Sequence, residues 1–372
     1  MEALILSCGT GGGHDAAARA VADELERRGS RATILNPYTL ESERTTALVN
    51  RAYIQMVQAA PQLFGAVYRA GEKWRTLPSH SPVYHANGKM AEYLGRYLQK
   101  NQYQAIVATH LYPAQILSYL KQHGAHLPPT VLVATDYTCI PFMEETDCDY
   151  CVIPSSELCA EFQARGFSLE RLLPYGIPVQ SKFAQECTKQ KARMQLGLAP
   201  AQHDILLAGG SMGAGKLSGA IRGLMPFLQA HPNYRLRAIC GPNQQLLNAL
   251  KKQYQGHRQI EPIGYTSRMA EYLKACDLFI TKPGGLSSTE AAVCGVPLIH
   301  ISPIPGCETH NAAFFSSHGM SLFVPDPEQN LAAAVEQLVN STLPARMIQA
   351  QKCFVPAHAA SRLCDWLEQL TR

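Results

Sequence analysis

Long apolar runs are missing from this 372-residue chain. None approaches the roughly 18 residues that a membrane-spanning helix needs, so the chain is expected at most to lie on a membrane. A basic lead-in is missing as well. Met1-Glu2 opens straight into the strand-like Ala3-Leu4-Ile5-Leu6, which does not fit a signal peptide and leads us to expect a cytoplasmic protein. Strong charge of either sign is absent. A formal net charge of +4 and a pI near 8.4 permit attraction to anionic lipid or nucleotide but argue against a nucleic-acid partner. Internal repeats and low-complexity tracts are not seen. Cysteine is not scarce, at 12 residues, but in a cytoplasmic chain these are expected to be reduced and scattered. Cys148 and Cys151 form a single C-x-x-C, flanked by Cys139 and Cys159 at spacings unlike zinc frameworks.

What is present suffices for two cores. With 46% hydrophobic and 17% charged residues the chain should be globular, and its length predicts two domains of ordinary size. Short apolar runs end in small or polar residues throughout. Ala105 to Ala108 leads to Thr109-His110, and Val131 to Ala134 leads to Thr135-Asp136-Tyr137. Ligands of open α/β sheets bind at such C-terminal strand ends. Asp136 could assist a base or line a ligand site, although a strand-end Asp also serves as a turn or helix cap. A helix is predicted from about Pro82 to Lys100 and an amphipathic one from Ala357 to Leu370.

The most informative stretch runs from Lys282 to Asn311. A buried-strand pattern, Leu278-Phe279-Ile280, precedes Gly284-Gly285, which let the backbone turn into a helix predicted to start at Ser287. Helix N-termini present unpaired N–H groups and partial positive charge. The amides of Gly285, Leu286 and Ser287 could therefore hold a diphosphate without a metal. Glu290, one turn in, could reach a sugar hydroxyl, or could close a capping box with Ser287.

Two further glycine-rich turns follow strands. Gly9-Thr10-Gly11-Gly12-Gly13-His14 fails the G-x-G-x-x-G spacing of a dinucleotide fingerprint and lacks the Lys-Ser/Thr ending of a P-loop. Its His14 could be a catalytic group, a helix cap or a surface residue. Gly210-Ser211-Met212-Gly213-Ala214-Gly215-Lys216 satisfies most of a P-loop, so an ATPase is an alternative, but Leu217 stands where the magnesium-binding Ser/Thr should be. The segment from Thr45 to Arg75 interleaves Val49, Tyr53, Met56, Val57, Phe64, Val67, Tyr68 and Trp74 with Arg44, Arg51, Arg69, Lys73 and Arg75. That pattern suits either a helix packed on a core or one lying in a lipid interface.

Taken together, GTGGGH, GGSMG, KPGGLSSTEA and PIPGCETHN resemble the MurG-like glycosyltransferases, most closely the branch of monogalactosyldiacylglycerol synthases and processive diacylglycerol glucosyltransferases. The resemblance covers nearly the whole chain, and Gly176-Ile177-Pro178-Val179 with Phe183 matches the family's hinge. It implies the GT-B fold, two facing Rossmann-like α/β domains with parallel sheets and an interdomain cleft. Residues 1–180 would form the acceptor domain, 181–355 the UDP-sugar domain, and 356–372 a final helix that crosses back.

The same resemblance implies inverting transfer of a hexose from UDP-glucose or UDP-galactose to diacylglycerol or a glycosyl-diacylglycerol, at an anionic membrane surface on the inner face of the cell membrane. His14, with Asp136 as second choice, would be the base. Gly11, Gly12, Gly13 and His110 would line the acceptor side. Gly210, Ser211, Met212, Gly213, Gly284, Gly285, Leu286 and Ser287 would meet the diphosphate, Gly264 and Tyr265 the uracil, Glu290 the ribose, and Glu308 and Asn311 the hexose. Cys307 departs from the family's usual glutamine, and Ile140 stands where a histidine often follows the aspartate. No metal is expected. Asp147-Cys148-Asp149 reads as the D-x-D of a different, metal-dependent transferase fold, with nothing nearby in sequence to complete a site. Transfer to another membrane acceptor, such as a polyprenyl-linked precursor, and non-catalytic binding of UDP-sugar are the alternatives.

Overall fold

The computed structural model describes residues 1–9, 12–42, 61–75, 79–210 and 217–371, without the side chains of 61–64 and 67. Two compact units emerge. One comprises Met1–Ser181 with Pro305–Cys307 and Pro356–Arg372, the other Lys182–Ile304 with Glu308–Val355.

The first unit is built on a six-stranded parallel sheet: β1 (Glu2–Leu6), β2 (Arg31–Leu35), β3 (Ala105–Ala108), β4 (Thr130–Val133), β5 (Tyr150–Val152) and β6 (Leu172–Leu173), in the order β2-β1-β3-β4-β5-β6. β3 and β4 are wholly buried, as expected of central strands covered on both faces, and their sequences are accordingly continuous apolar runs. The strand order reverses between β1 and β3, so the topological switch point lies at the ends carrying residues 7–14 and Thr109-His110.

The helix Gly12–Arg27 leaves β1 and presents Ala18, Val21 and Leu25 to Ile5, Val107 and Val131. The last helix, Ala359–Leu370, adds Leu363, Cys364 and Leu367 to that core. Arg28 fixes it there, its guanidinium bonding Asp365 at 2.5 Å and the hydroxyl of Ser361 at 2.8 Å. The predicted helix from Pro82 to Lys100 is two, Pro82–Gly88 and Ala91–Lys100. At the break, a Cβ on Gly88 would lie 2.5 Å from the ring of Tyr119, so the chain needs glycine to pass that ring. Helix Pro61–Trp74 buries Gly65 and Gly71 and exposes Ala66, Arg69, Ala70 and Lys73. The part of the basic-aromatic segment at 43–60 lies outside the described residues.

The second unit repeats the plan with β7 (His203–Ala208), β8 (Tyr234–Ile239), β9 (Ile260–Ile263), β10 (Leu278–Thr281), β11 (Leu298–Ile301) and β12 (Leu322–Val324). Their order, β12-β11-β10-β7-β8-β9, is all parallel and is the dinucleotide-binding order, with its switch point between β7 and β10. Helices Leu217–Ala230 and Pro327–Val339 meet backbone to backbone. A Cβ on Gly223 would stand 2.0 Å from the carbonyl oxygen of Pro327.

Candidate active site

In the first unit the switch point gathers His14, Thr109, His110, Thr135 and Asp136 from three strand ends. His14 Nδ1 lies 2.8 Å from the carbonyl oxygen of Thr109 and 3.0 Å from the hydroxyl oxygen of Thr135. A carbonyl only accepts, so the proton is on Nδ1, and Nε2 of the neutral ring carries a lone pair. Burial holds the His14 pKa below the ordinary value, against the opposing pull of Asp136, the Thr109 hydrogen bond and Asp15. The ring is thus neutral at pH 7, and the Asp136 charge favours the imidazolium that forms once Nε2 takes up a proton. Asp15 is held by the hydroxyl of Ser7 at 2.5 Å.

His110 is set differently. Its Nδ1 accepts the backbone N–H of Tyr112 at 3.1 Å and so caps the helix Leu111–Gln122. The ring stands edge-on to His14, centroids 4.3 Å apart. Burial first, and His14 second, keep its pKa well below the ordinary range. His110, which the resemblance puts on the acceptor side, thus caps this helix and packs against His14. Gly12 and Gly13 open the first helix, and Gly11 lies outside the described residues.

In the second unit the helix after β10 begins at Gly285, two residues before the predicted Ser287. Its N-cap is Gly284, with no side-chain capping bond. The tight turn is made by the backbone, with Gly284 N–H donating to the Lys282 carbonyl at 2.8 Å. Gly285, Leu286 and Ser287 are therefore the first three helical residues, whose N–H groups have no partner within the helix. Glu290 is the sixth helical residue, too far in to close a capping box, so the cap alternative fails. Burial raises its pKa to about 7, with Lys182 opposing. Beneath this helix, His300 is fully buried between the hydroxyls of Ser288 at 2.9 Å and Ser321 at 3.1 Å, and burial lowers its pKa to about 3.

Lys282, which sequence reading left unassigned, sits at the switch point. It is 7% exposed, and its Nζ lies 3.2 Å from Glu308 Oε1. Glu308, 9% exposed, also accepts the Ile304 N–H at 2.7 Å. Gly210 follows β7 with φ +77°, where a side chain would be strained, and its position is ordinary contact distance from the Lys282 side chain. Asn311 is fully buried and donates to the Pro283 carbonyl at 3.0 Å, bracing the Lys282–Gly285 turn. Gly264 and Tyr265 follow β9 at the same end of the sheet, with Tyr265 77% exposed. Ser211, Met212 and Gly213, and Lys216 of the P-loop alternative, lie outside the described residues.

Comparison with known proteins agrees with both units. Residues 14–179 match the family described as monogalactosyldiacylglycerol (MGDG) synthase, and residues 204–363 match the glycosyltransferase family 28 C-terminal domain. The chain thus carries an MGDG synthase domain followed by a glycosyltransferase family 28 C-terminal domain. A processive diacylglycerol beta-glucosyltransferase of Staphylococcus saprophyticus is 30% identical over 236 residues, 62% of this chain and 58% of that protein, so the alignment spans less than two thirds of the relative's length. One of the same name from Bacillus pumilus is 23% identical over 364 residues, 97% of this chain and 93% of that protein. The crystal structure of MurG from Acinetobacter baumannii superposes with a TM-score of 0.63 at 17% identity over 99% of each chain, which establishes the GT-B fold.

The D-x-D tripeptide is structural. Asp147 pairs with Arg171 at 3.3 Å, and Asp149 with Lys121 at 2.7 Å and the Thr130 hydroxyl at 2.8 Å. Among the described residues, no group of three or more His, Cys, Asp or Glu side chains could hold a metal ion. Nor, among them, is any helix long and apolar enough to cross a membrane. The two holders of His14 were beyond sequence reading, because Thr109 and Thr135 stand 95 and 121 residues away from it. Their only signal was a threonine at each of two strand ends.

Proposed function

We propose that this glycosyltransferase moves a glucosyl group from UDP-glucose to the hydroxyl of diacylglycerol, with inversion at the anomeric carbon, at a membrane surface. The observation that carries the reading is the His14 tautomer. A neutral imidazole with Nδ1 anchored and Nε2 bearing a lone pair is poised to take the proton of an attacking hydroxyl. Diacylglycerol as acceptor is supported by the names of the curated relatives, and glucose is favoured over galactose because those names read beta-glucosyltransferase.

In this mechanism the hydroxyl attacks from the face opposite UDP as His14 removes its proton, and Asp136 stabilises the resulting imidazolium. The departing diphosphate is met by the Gly285, Leu286 and Ser287 amides. Glu290 accepts from the ribose hydroxyls. Charge on the leaving group is thus offset by the protein's own groups, and we propose that transfer needs no metal.

The test incubates purified protein with diacylglycerol vesicles and UDP-glucose or UDP-galactose in the presence of a chelator, and reads the lipids by mass spectrometry. Glucosyl-diacylglycerol is the expected product, and the mass of each product counts the sugars added. Hexosyl-lipid with UDP-galactose alone would overturn the donor assignment. Donor binding without any lipid product would overturn the acceptor.

A further inference from the structure

Lys282 and Glu308 form a buried ion pair at the second unit's switch point, and that pair has the makings of a displaceable one. The 3.2 Å separation is long for an ammonium–carboxylate hydrogen bond, for which about 2.7–2.9 Å is usual. Glu308 is held independently of the lysine, by the 2.7 Å bond from the Ile304 N–H, and would stay in place if the lysine left. The ammonium borders Gly210, which has no side chain to separate it from the backbone that follows β7. Glu308 Oε1 in turn lies 3.9 Å from where a Gly284 Cβ would be, beside the turn that opens the ten-residue helix Gly285–Cys294. The buried cation and its anchored carboxylate therefore stand beside the turn that opens this helix.

We infer that Lys282 is a donor-responsive residue. In the empty site its ammonium neutralises Glu308, and when a nucleoside diphosphate sugar enters, the ammonium transfers to the diphosphate and leaves the Glu308 carboxylate to accept hydroxyls of the attached sugar. This rests on the reading of the second unit as a UDP-sugar site. The physical driver is charge: a diphosphate brings at least two negative charges to a lysine that otherwise faces one, in a site where burial weakens screening. Sugar recognition would then be coupled to phosphate binding, because the carboxylate oxygen that Lys282 holds can turn to a sugar hydroxyl only after Lys282 has moved.

Calorimetry on Lys282→Met and Glu308→Gln with uridine, UDP and UDP-glucose tests this. Lys282→Met should weaken UDP by roughly 10- to 100-fold, the range of a lost charge-assisted bond, and leave uridine unchanged. Glu308→Gln should tighten UDP by about 3- to 10-fold, since the lysine no longer has a competing partner, and should weaken UDP-glucose relative to UDP. The double variant Lys282→Met/Glu308→Gln removes both charges, so no unpaired ion is left buried, and it should bind UDP as weakly as Lys282→Met. UDP affinity unchanged in Lys282→Met, or weakened in Glu308→Gln, would overturn the exchange and leave the pair a fixed scaffold. Wild-type protein that binds neither UDP nor UDP-glucose would overturn the donor-site reading itself.

Discussion

Glu290 ties donor binding to pH, and the size of the effect follows from its surroundings. Burial raises its carboxyl to about 7, and the helix start at Gly285 leaves it no capping duty. If the carboxylate accepts ribose hydroxyls, protonation removes the accepting form. With a pKa of 7 the fraction ionised is about one eleventh at pH 6 and ten elevenths at pH 8, so UDP-glucose should bind about tenfold more weakly at pH 6. UDP-glucose is the right probe, because both its phosphates stay fully ionised over this range whereas the terminal phosphate of UDP titrates. His14, held below its ordinary pKa, stays neutral across the upper part of the window. Glu290→Gln should lose affinity by about 10- to 100-fold and should bind with little dependence on pH. The stability sign is opposite. A carboxyl whose folded pKa lies above its unfolded value disfavours folding as pH rises from about 4.5 to 7, and the deficit is then constant. Glu290→Gln should therefore be more stable than wild type at pH 8, by about 1–3 kcal/mol, in thermal or urea unfolding. A flat wild-type affinity between pH 6 and 8, or the same slope in Glu290→Gln, would refute this reasoning.

Three other perturbations follow. His14→Ala should lower turnover by about 10²–10⁴-fold in the vesicle assay with donor affinity unchanged, and Thr135→Val should lower it less while the Thr109 carbonyl still orients the ring; near-normal turnover of His14→Ala would remove it as the base. His300, buried neutral with its pKa lowered to about 3, should make the second unit lose about 1.4 kcal/mol of stability for each pH unit below 6.5, and His300→Gln should flatten that slope in urea titrations between pH 4 and 6.5. Gly223→Ala should cost about 3 kcal/mol or more, because its Cβ would meet a helix backbone that cannot swing aside as a side chain could; a melting temperature close to wild type would show that the two helices separate easily.

The strand ends were legible because a buried parallel strand is a continuous apolar run, and the first small or polar residues after it must be the sheet's C-terminal edge. That alone placed Thr109, Thr135, Gly210 and the Lys282–Gly285 turn at the strand ends where open α/β sheets bind their ligands. Where local chemistry competed with backbone geometry, the local signal misled. Ser287-Ser288-Thr289-Glu290 has the composition of a capping box, yet the chain turns two residues earlier, because Gly284 satisfies its own N–H on Lys282 and no side chain is needed. The run from Pro82 to Lys100 reads as one helix until the Tyr119 ring, 31 residues after Gly88, is found where a continuous turn would pass.

Pairings across long sequence separations leave no trace in local pattern. An amphipathic stripe identified the last helix, but the core it joins is decided by the apolar side chains of the helix Gly12–Arg27 and by Arg28, which accounts for the positions of Asp365 and Ser361. Lys282 and Glu308 show the same limit at the site itself. Each lies in a motif that marks the site, Lys282 in KPGGLSSTEA and Glu308 in PIPGCETHN, but that the two pair is decided by the fold across a separation of 26 residues. A site made of such pairs can change its electrostatics by moving one side chain, so a motif that announces a site does not announce which of its residues respond to a ligand.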